Sequence, residues 1–381
     1  MLLRRIAVKI AFFVNGFILA NWVSRLPRIQ ELYGVDDGTT GLILLASSVG
    51  AVGAMPFTGW AIIRNGSYKI TLAAAIAYCV VLPLIPLMPG VPLLMVLFLL
   101  MGIATGMLDV AMNAQAILVE QEYGRSIITS FHALFSIGMM LGAVSGALFT
   151  DLGVQLTNHF WIVSVVSLIS VIWMGQHLVH DKPTPGAQPD GPLFRLPNKS
   201  LISIGIISFC CMISEGAMSD WSVNYMENIV RSAKTIAPLA LSSFASAMTI
   251  GRLVGDKART ALGDKTMILG GGLIAVFGLL ISILVLEDFV AIGGFFLVGL
   301  GLSTIIPIAY SIAGNEPGLP SGVGLAMVTT VGYTGFLVGP PLIGFIADLQ
   351  SLHTAMILVA GLLLIMTLLG AIYKSTAKRD R

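Results

Sequence analysis

Twelve long apolar stretches, separated by short polar or glycine- and proline-containing segments, constrain the fold of this 381-residue chain more than any other feature. A hydrocarbon core of about 30 Å needs roughly 20 apolar residues per helix, and lipid leaves no backbone polar group unbonded. None of the stretches shows the ten-residue alternation typical of barrel strands. The sequence therefore predicts an all-α integral membrane protein with twelve transmembrane helices, the first at 6–30 and the eighth at 236–255.

Composition excludes several other classes of protein. Only 10% of residues are charged and 56% are hydrophobic, so a large soluble domain is not expected. A net charge of +2 without a basic stripe argues against a nucleic-acid partner. The three cysteines match no disulfide or metal spacing, and H-E-x-x-H and G-x-S-x-G motifs are absent. We therefore expect neither an enzyme nor a bound metal or cofactor. No A-x-A-like cleavage site follows the apolar N-terminus, so we expect it to be retained.

Basic residues favour one orientation. With a cytoplasmic N-terminus and alternating spans, 17 of the 21 Lys and Arg residues fall inside, and only Arg25, Arg28, Arg231 and Lys234 fall outside. The positive-inside rule expects such a bias. The sequence therefore predicts a multi-pass protein of the cell (inner) membrane with both termini in the cytoplasm.

A linker and a repeat divide the chain into two halves. Residues 181–198, DKPTPGAQPDGPLFRLPN, contain five prolines and predict a cytoplasmic linker between a six-helix bundle at 1–180 and another at 199–381. A shift of 197 positions then pairs Gly102 with Gly299, Gly138 with Gly335, Gly142 with Gly339 and Asp151 with Asp348. Two pseudo-symmetric six-helix halves of parallel topology resemble the major facilitator superfamily, in which substrate lies between the halves at mid-membrane.

Three acidic residues, Asp109, Glu215 and Asp220, lie within predicted spans. A charge at a helix centre costs about 2.5–3.5 kcal/mol on insertion scales, so it persists mainly where it faces a cavity or a partner. Desolvation favours the protonated carboxyl, which makes these groups candidate proton carriers. The alternative is a carboxyl that only fixes helix packing.

Candidate substrate-binding residues come from helix spacing and from the repeat. Asn113 shares a helix face with Asp109, and His132 lies near the inner end of the next span. If spans one and seven meet across the halves, Asn21, Trp22 and Arg25 of span one would lie opposite Trp221 of span seven. Symmetry adds Tyr310, opposite Asn113, and Thr329, opposite His132, with Tyr333 as a further candidate. Each candidate also has a structural interpretation. The indoles would equally suit an aromatic belt at the membrane interface, and Arg25 would suit a snorkelling residue at a helix end. His132 could bond to a neighbouring backbone, and the tyrosines could serve only in packing.

Two loops resemble the glycine-acid-arginine gating signature of the superfamily. GWAIIRNGSYK contains Gly59 and Arg64 but has Ile63 where the acid belongs. GRLVGDKARTALGDK contains Gly251, Asp256 and Lys257 and is the better match. Gating by the second loop is therefore expected, and gating by the first is in doubt.

Local motifs extend the resemblance. GMLDVAMNAQA followed by SFHALFSIG is similar to spans four and five of fucose-permease-type proton symporters, and NWVSRLP and EGAMSDW are closer to the MosC-like branch, bacterial membrane proteins associated with rhizopine metabolism and others of unassigned substrate. The resemblance implies that Asp109 is the coupling carboxylate and that Asn113 contacts a sugar. Fucose-type permeases also carry an acid in span one, where this chain has Asn21 and Trp22, so a two-carboxylate mechanism does not transfer.

The resulting hypothesis is a monomeric, proton-coupled transporter of a small sugar- or polyol-like solute that works by alternating access in the lipid bilayer. Two alternatives remain open at this point: export of a metabolite or drug-like compound by proton antiport, and a non-transporting sensor on the same fold.

Overall fold

The computed structural model describes residues 1–124, 127–181, 201–316 and 321–373, except the side chains of Thr129, Asp256, 321–323 and Ala326. The predicted linker lies outside the described residues apart from Asp181, so the domain boundaries stay a prediction. The described segments are helical, which confirms the all-α prediction.

Fourteen α-helices occur in these segments. In the N-terminal half they are α1 (Leu2–Val23), α2 (Leu26–Tyr33), α3 (Asp37–Asn65), α4 (Ser67–Val81), α5 (Val91–Tyr123), α6 (Ile128–Asp151) and α7 (Leu156–Gly175). In the C-terminal half they are α8 (Ile202–Tyr225), α9 (Pro238–Leu262), α10 (Asp264–Leu284), α11 (Asp288–Leu302), α12 (Ile305–Gly314), α13 (Ser321–Leu349) and α14 (Leu352–Ile372). A 3₁₀ segment, Leu82–Leu87, prolongs α4, and a π-helical segment, Met226–Val230, prolongs α8.

Local chemistry sets the helix ends. The Asp36 carboxylate accepts a hydrogen bond from the Thr39 N–H at 2.7 Å and caps α3. These hydrogen bonds from Thr39 hold the pKa of Asp36 below its usual range. Gly66 and Gly263 end α3 and α9 with positive φ values of 81° and 78°, which glycine adopts without strain. Each tight turn brings the next helix back across the membrane.

The glycines of the sequence repeat make equivalent packing contacts in the two halves. A Cβ on Gly138 of α6 would lie 2.3 Å from the Phe13 carbonyl oxygen of α1, and a Cβ on Gly335 of α13 would lie 2.8 Å from the Phe209 carbonyl oxygen of α8. Backbones this close admit only glycine. The pair α1–α6 therefore corresponds to the pair α8–α13, as the predicted two-bundle architecture requires.

Several spans differ from the predicted boundaries, and the tenth, predicted at 289–313, is interrupted at Ser303 and Thr304 between α11 and α12. The predicted first span at 6–30 is interrupted at Ser24 and Arg25, and α2 is a separate helix of eight residues. The predicted eighth span at 236–255 continues to Leu262 as α9. Eleven helical segments of the described residues are long and apolar enough to cross a membrane, and α9 is the predicted span that is not among them.

The two halves meet on one side of the membrane. We call the side where α1 begins and α14 ends the terminal side, and the other the opposite side. At the opposite side, a Cβ on Gly41 would lie 2.7 Å from the Pro340 carbonyl oxygen, and one on Gly344 would lie 2.5 Å from the Asp37 carbonyl oxygen. The backbones of α3 and α13 are therefore in direct contact there, which closes the opposite side.

Candidate functional site

A cavity of about 570 Å³ lies between the halves, from mid-membrane to the terminal side. Its volume is within the range of about 300–1,000 Å³ that small-molecule sites occupy. The polar residues that line it are Asp109, His132, Glu215, Arg252, Arg259, Ser303, Thr304, Tyr310 and Tyr333. The predicted candidates Asp109, Glu215, His132, Tyr310 and Tyr333 are thus brought together, although they come from five different helices.

Asp109 is the N-terminal half's contribution of charge to this cavity. It lies near the middle of the 33-residue helix α5 and is half-buried. Among the described residues, its carboxylate has no hydrogen bond or ion pair, and only its backbone carbonyl is used, by the Asn113 amide at 2.8 Å. Asp109 is therefore a carboxylate without a counterion at the cavity wall, a group that can accept a proton or a solute hydroxyl.

Arg252 of α9 connects the two halves inside the cavity. Its guanidinium donates to the Ser136 hydroxyl of α6 at 3.0 Å and to the Glu215 carboxylate of α8 at 3.4 Å. Glu215 is thereby paired, unlike Asp109. Arg252 was not predicted as a site residue, because a helix that ends at 255 would place it at the membrane edge. α9 continues for ten residues beyond it, about 15 Å of helix, which brings it to the cavity.

A second arginine lies nearer the terminal side. The Arg259 Nε donates to the Asp264 carboxylate at 2.6 Å, and its Nη2 donates to the Ser311 hydroxyl at 2.9 Å. These bonds tie α9 to the start of α10 and to α12. Arg259 is thus neutralised within the C-terminal half, and it lines the mouth of the cavity on the side that the halves leave open.

Aromatic and sulfur-containing side chains complete the wall. The rings of Tyr333 and Phe336 lie 6.4 Å apart on α13, and His132 contacts the Phe12 ring edge-on at 5.0 Å. Tyr333 lines the same cavity as Asp109 and Glu215. Aromatic faces beside polar groups suit a compact solute with an apolar ring face and several hydroxyls.

Two predicted binding residues of the N-terminal half, Asn21 and Trp22, point away from the cavity. The amide of Asn21 is fully buried: its nitrogen donates to the Phe17 carbonyl at 2.8 Å, and its oxygen is bonded to Ser145 at 2.7 Å and His159 at 2.8 Å. Trp22 packs edge-on against Phe98 inside the half. These residues hold α1, α5, α6 and α7 together. They do not face the crevice between the halves, contrary to the prediction.

The side chains of Arg25 and Trp221 also lie away from the cavity, contrary to the prediction. Arg25 is 5% exposed. It donates to the Thr150 hydroxyl at 2.8 Å and to the Val154 carbonyl at 3.1 Å, at the end of α6 on the opposite side. It is thus neither a substrate contact nor a snorkelling residue. Trp221 is fully buried within the C-terminal half and does not line the cavity. Both side chains are on helix faces that turn toward their own half.

The remaining candidates lie beside the cavity without lining it. Asp220 is half-buried five residues beyond Glu215, toward the opposite side. Asn113 is bonded to its own helix, as described above, which does not fit the predicted sugar contact. Thr329 does not line the cavity, and the buried Tyr310 hydroxyl has no hydrogen-bond partner among the described residues. The repeat therefore identified Tyr310 as a lining residue, and a role for Thr329 stays a prediction.

Those predicted gating residues whose side chains are described do not meet across the halves. A Cβ at Gly59 would contact nothing within 4 Å, and the exposed Arg64 lies over the Trp60 ring at 4.3 Å. Lys257 is exposed, and the Asp256 side chain lies outside the described residues. Gly251 has a packing role, because its Cβ would lie 2.0 Å from the Ser303 hydroxyl.

An acid does serve the first of these loops, but it comes from elsewhere in the chain. The Asp181 carboxylate accepts from the Ser67 N–H at 2.6 Å and from the Tyr68 N–H at 3.0 Å. It thereby caps the start of α4, the turn in which Ile63 replaces the expected acid.

Comparisons with known proteins agree with this geometry. The model of the Major Facilitator Superfamily matches residues 9–320. An uncharacterised MFS-type transporter of Yersinia pestis is 36% identical over 361 residues, which is 95% of this chain and 93% of that protein. The membrane protein MosC of Rhizobium meliloti is 30% identical over 357 residues, 93% of this chain and 86% of MosC. The nucleoside transporter NupG superposes with a TM-score of 0.78 at 13% identity over 98% of this chain and 100% of NupG, a likeness of fold alone.

Proposed function

Because this chain belongs to the major facilitator superfamily, on its MosC-like branch, we propose that it transports a small sugar- or polyol-like solute by proton-coupled alternating access of its two halves. The observation that carries the proposal is the counterion-free Asp109 carboxylate at the wall of an interdomain cavity.

Proton coupling follows from the cost of burying that carboxylate. In the present state the cavity opens to the terminal side, so water solvates Asp109. Closing both sides around the solute removes this water, and an ionised carboxylate without a counterion opposes that step. Protonation of Asp109 removes the penalty, and a bound solute favours the same closure. Proton and solute are then coupled because both stabilise the occluded state.

Solute recognition is assigned to the paired groups and the aromatic rings. The Arg252 guanidinium donates and the Glu215 carboxylate accepts, so together they match neighbouring hydroxyls of a polyol. Tyr333 and Tyr310 supply hydroxyls and ring faces. Since Arg252 and Glu215 neutralise each other, they hold a neutral solute without adding net charge.

The test begins by finding the solute. Purified protein is screened by thermal shift against sugars, polyols and cyclitols, because a ligand at 100 times its Kd adds about 2.7 kcal/mol of stability. In proteoliposomes with an imposed pH gradient, we expect the hit to accumulate. We expect Asp109→Asn to reduce gradient-driven accumulation at least tenfold while it retains solute binding.

Asp220→Asn is the matched control, because it removes an acid of the same type that lies outside the cavity. Accumulation by Asp109→Asn at the unaltered rate contradicts the proposal. The sign of the pH gradient that drives accumulation separates symport from antiport, and binding without flux in the unaltered protein identifies a sensor.

A further inference from the structure

The short helix α2 connects the halves on the opposite side through three of its residues, Arg28, Gln30 and Glu31. Arg28 forms an ion pair with Glu227 of the π-helical segment, whose side chains are 15% and 10% exposed. The Gln30 amide oxygen accepts from the Asn224 amide of α8 at 2.5 Å. Lys234 bonds to Glu31 at 3.2 Å.

α2 is fixed to the N-terminal half at both of its ends. Before it, Arg25 bonds to α6 and to the segment that follows α6, as described above. After it, the Tyr33 hydroxyl donates at 2.5 Å to the carbonyl of Ile85, which lies in the 3₁₀ segment that prolongs α4. α2 therefore moves with the N-terminal half as one body, whereas Glu227, Asn224 and Lys234 move with the C-terminal half.

Gln30 also links these bonds to the backbone contact of α3 with α13. Its amide nitrogen donates to the Asp37 carboxylate and to the Thr40 hydroxyl, each at 2.9 Å, at the start of α3. The neighbouring Gly41 and Gly344 are the glycines at which the two backbones touch. A separation of the halves at this point breaks the bonds of α2 together with that contact.

We propose that α2 is the gate of the opposite side and that the Arg28–Glu227 ion pair positions it in the closed state. The pair is largely desolvated here, and each charge is exposed to water once the halves part. Arg28 also bonds to the exposed Glu31 of its own helix, whereas Glu227 is only 10% exposed, so losing Arg28 leaves the Glu227 carboxylate without this partner in the closed state and penalises that state selectively. This inference rests on the proposed function, because a gate has meaning only in an alternating-access cycle.

The first experiment measures the gate without any solute. Spin labels are attached at Leu32→Cys and Asn228→Cys, two exposed positions on either side of the gate, and the native cysteines are too buried to compete. We expect Arg28→Glu to lower the ratio of short to long label distances at least tenfold. The charge swap Arg28→Glu with Glu227→Arg should reverse most of that loss, although Glu31 and Lys234 remain beside the exchanged charges.

A second measurement reports the same gate in protein without spin labels. A single Phe336→Cys in the cavity is treated with a membrane-impermeant methanethiosulfonate from the opposite side. We expect Arg28→Glu to raise its reaction rate at least tenfold and the swap to reverse the increase. If Arg28→Glu does not fold, Gln30→Ala takes its place, with a rise of at least threefold.

Unchanged distances and unchanged reactivity in the single variants overturn the gate, as does a charge swap that fails to reverse them. Neither readout depends on transport. A protein that gates as described but carries no solute in the panel therefore refutes the proposed function and not the gate.

Discussion

Asn21 and Tyr333 are both polar side chains inside the helix bundle, but their bonding gives them different roles. Asn21→Ala leaves the buried His159 ring nitrogen without its partner, whereas Ser145 keeps the Gly142 carbonyl, and one unsatisfied buried group costs about 1–3 kcal/mol. We therefore expect a lower unfolding temperature with unchanged solute affinity. Thermal unfolding and titration of the thermal-shift hit check this pair of outcomes.

Tyr333→Phe is the reciprocal variant at this scale. It keeps the ring and removes the hydroxyl of a residue that lines the cavity together with Asp109 and Glu215. We expect the affinity for the solute to fall about fivefold, the equivalent of one hydrogen bond of about 1 kcal/mol, with an unchanged unfolding temperature. A loss of affinity in Asn21→Ala, or none in Tyr333→Phe, would show that the cavity does not bind the solute in this way.

Helix pairs packed through glycine make the strongest structural demand at the scale of elements. A Cβ on Gly138 would lie 2.3 Å from the Phe13 carbonyl oxygen, whereas at Gly339 the nearest atom is 3.8 Å away. We expect Gly138→Ala to force α1 and α6 apart and to cost about 1–3 kcal/mol, and Gly339→Ala to be tolerated. Thermal unfolding of the two purified variants measures the difference, and equal unfolding temperatures would contradict the argument.

The whole molecule is oriented by its charges. α9 moves Arg252 from a loop into the membrane, but the excess of Lys and Arg on the terminal side remains. From the positive-inside rule we expect that side to face the cytoplasm. We expect a C-terminal green fluorescent protein fusion to fluoresce and a C-terminal alkaline phosphatase fusion to be inactive. The reverse pattern would invert the topology and the side to which the cavity opens.

Much of this architecture could be predicted from the chain alone. Apolar runs, the linker and the glycine repeat indicated two bundles of helices, because lipid imposes the length and bonding of each span locally. The acids of the spans were equally visible, and Asp109 and Glu215 line the cavity. The break at Ser24 and Arg25 was missed because the first span was extended to residue 30, although Pro27 at the start of α2 and the polar residues that follow it mark a new helix.

The orientation of each side chain was decided only by tertiary structure. Neighbouring residues on a helix point about 100° apart, so the rotation of the helix determines whether Trp221 or Glu215 faces the cavity. That rotation depends on packing against other helices, as in the Asn21–Ser145–His159 contacts, which a single span does not encode. The connection of both halves by Arg252 and the closure by α2 join residues more than a hundred positions apart. The sequence thus determined which charges enter the membrane, and packing determined which of them meet.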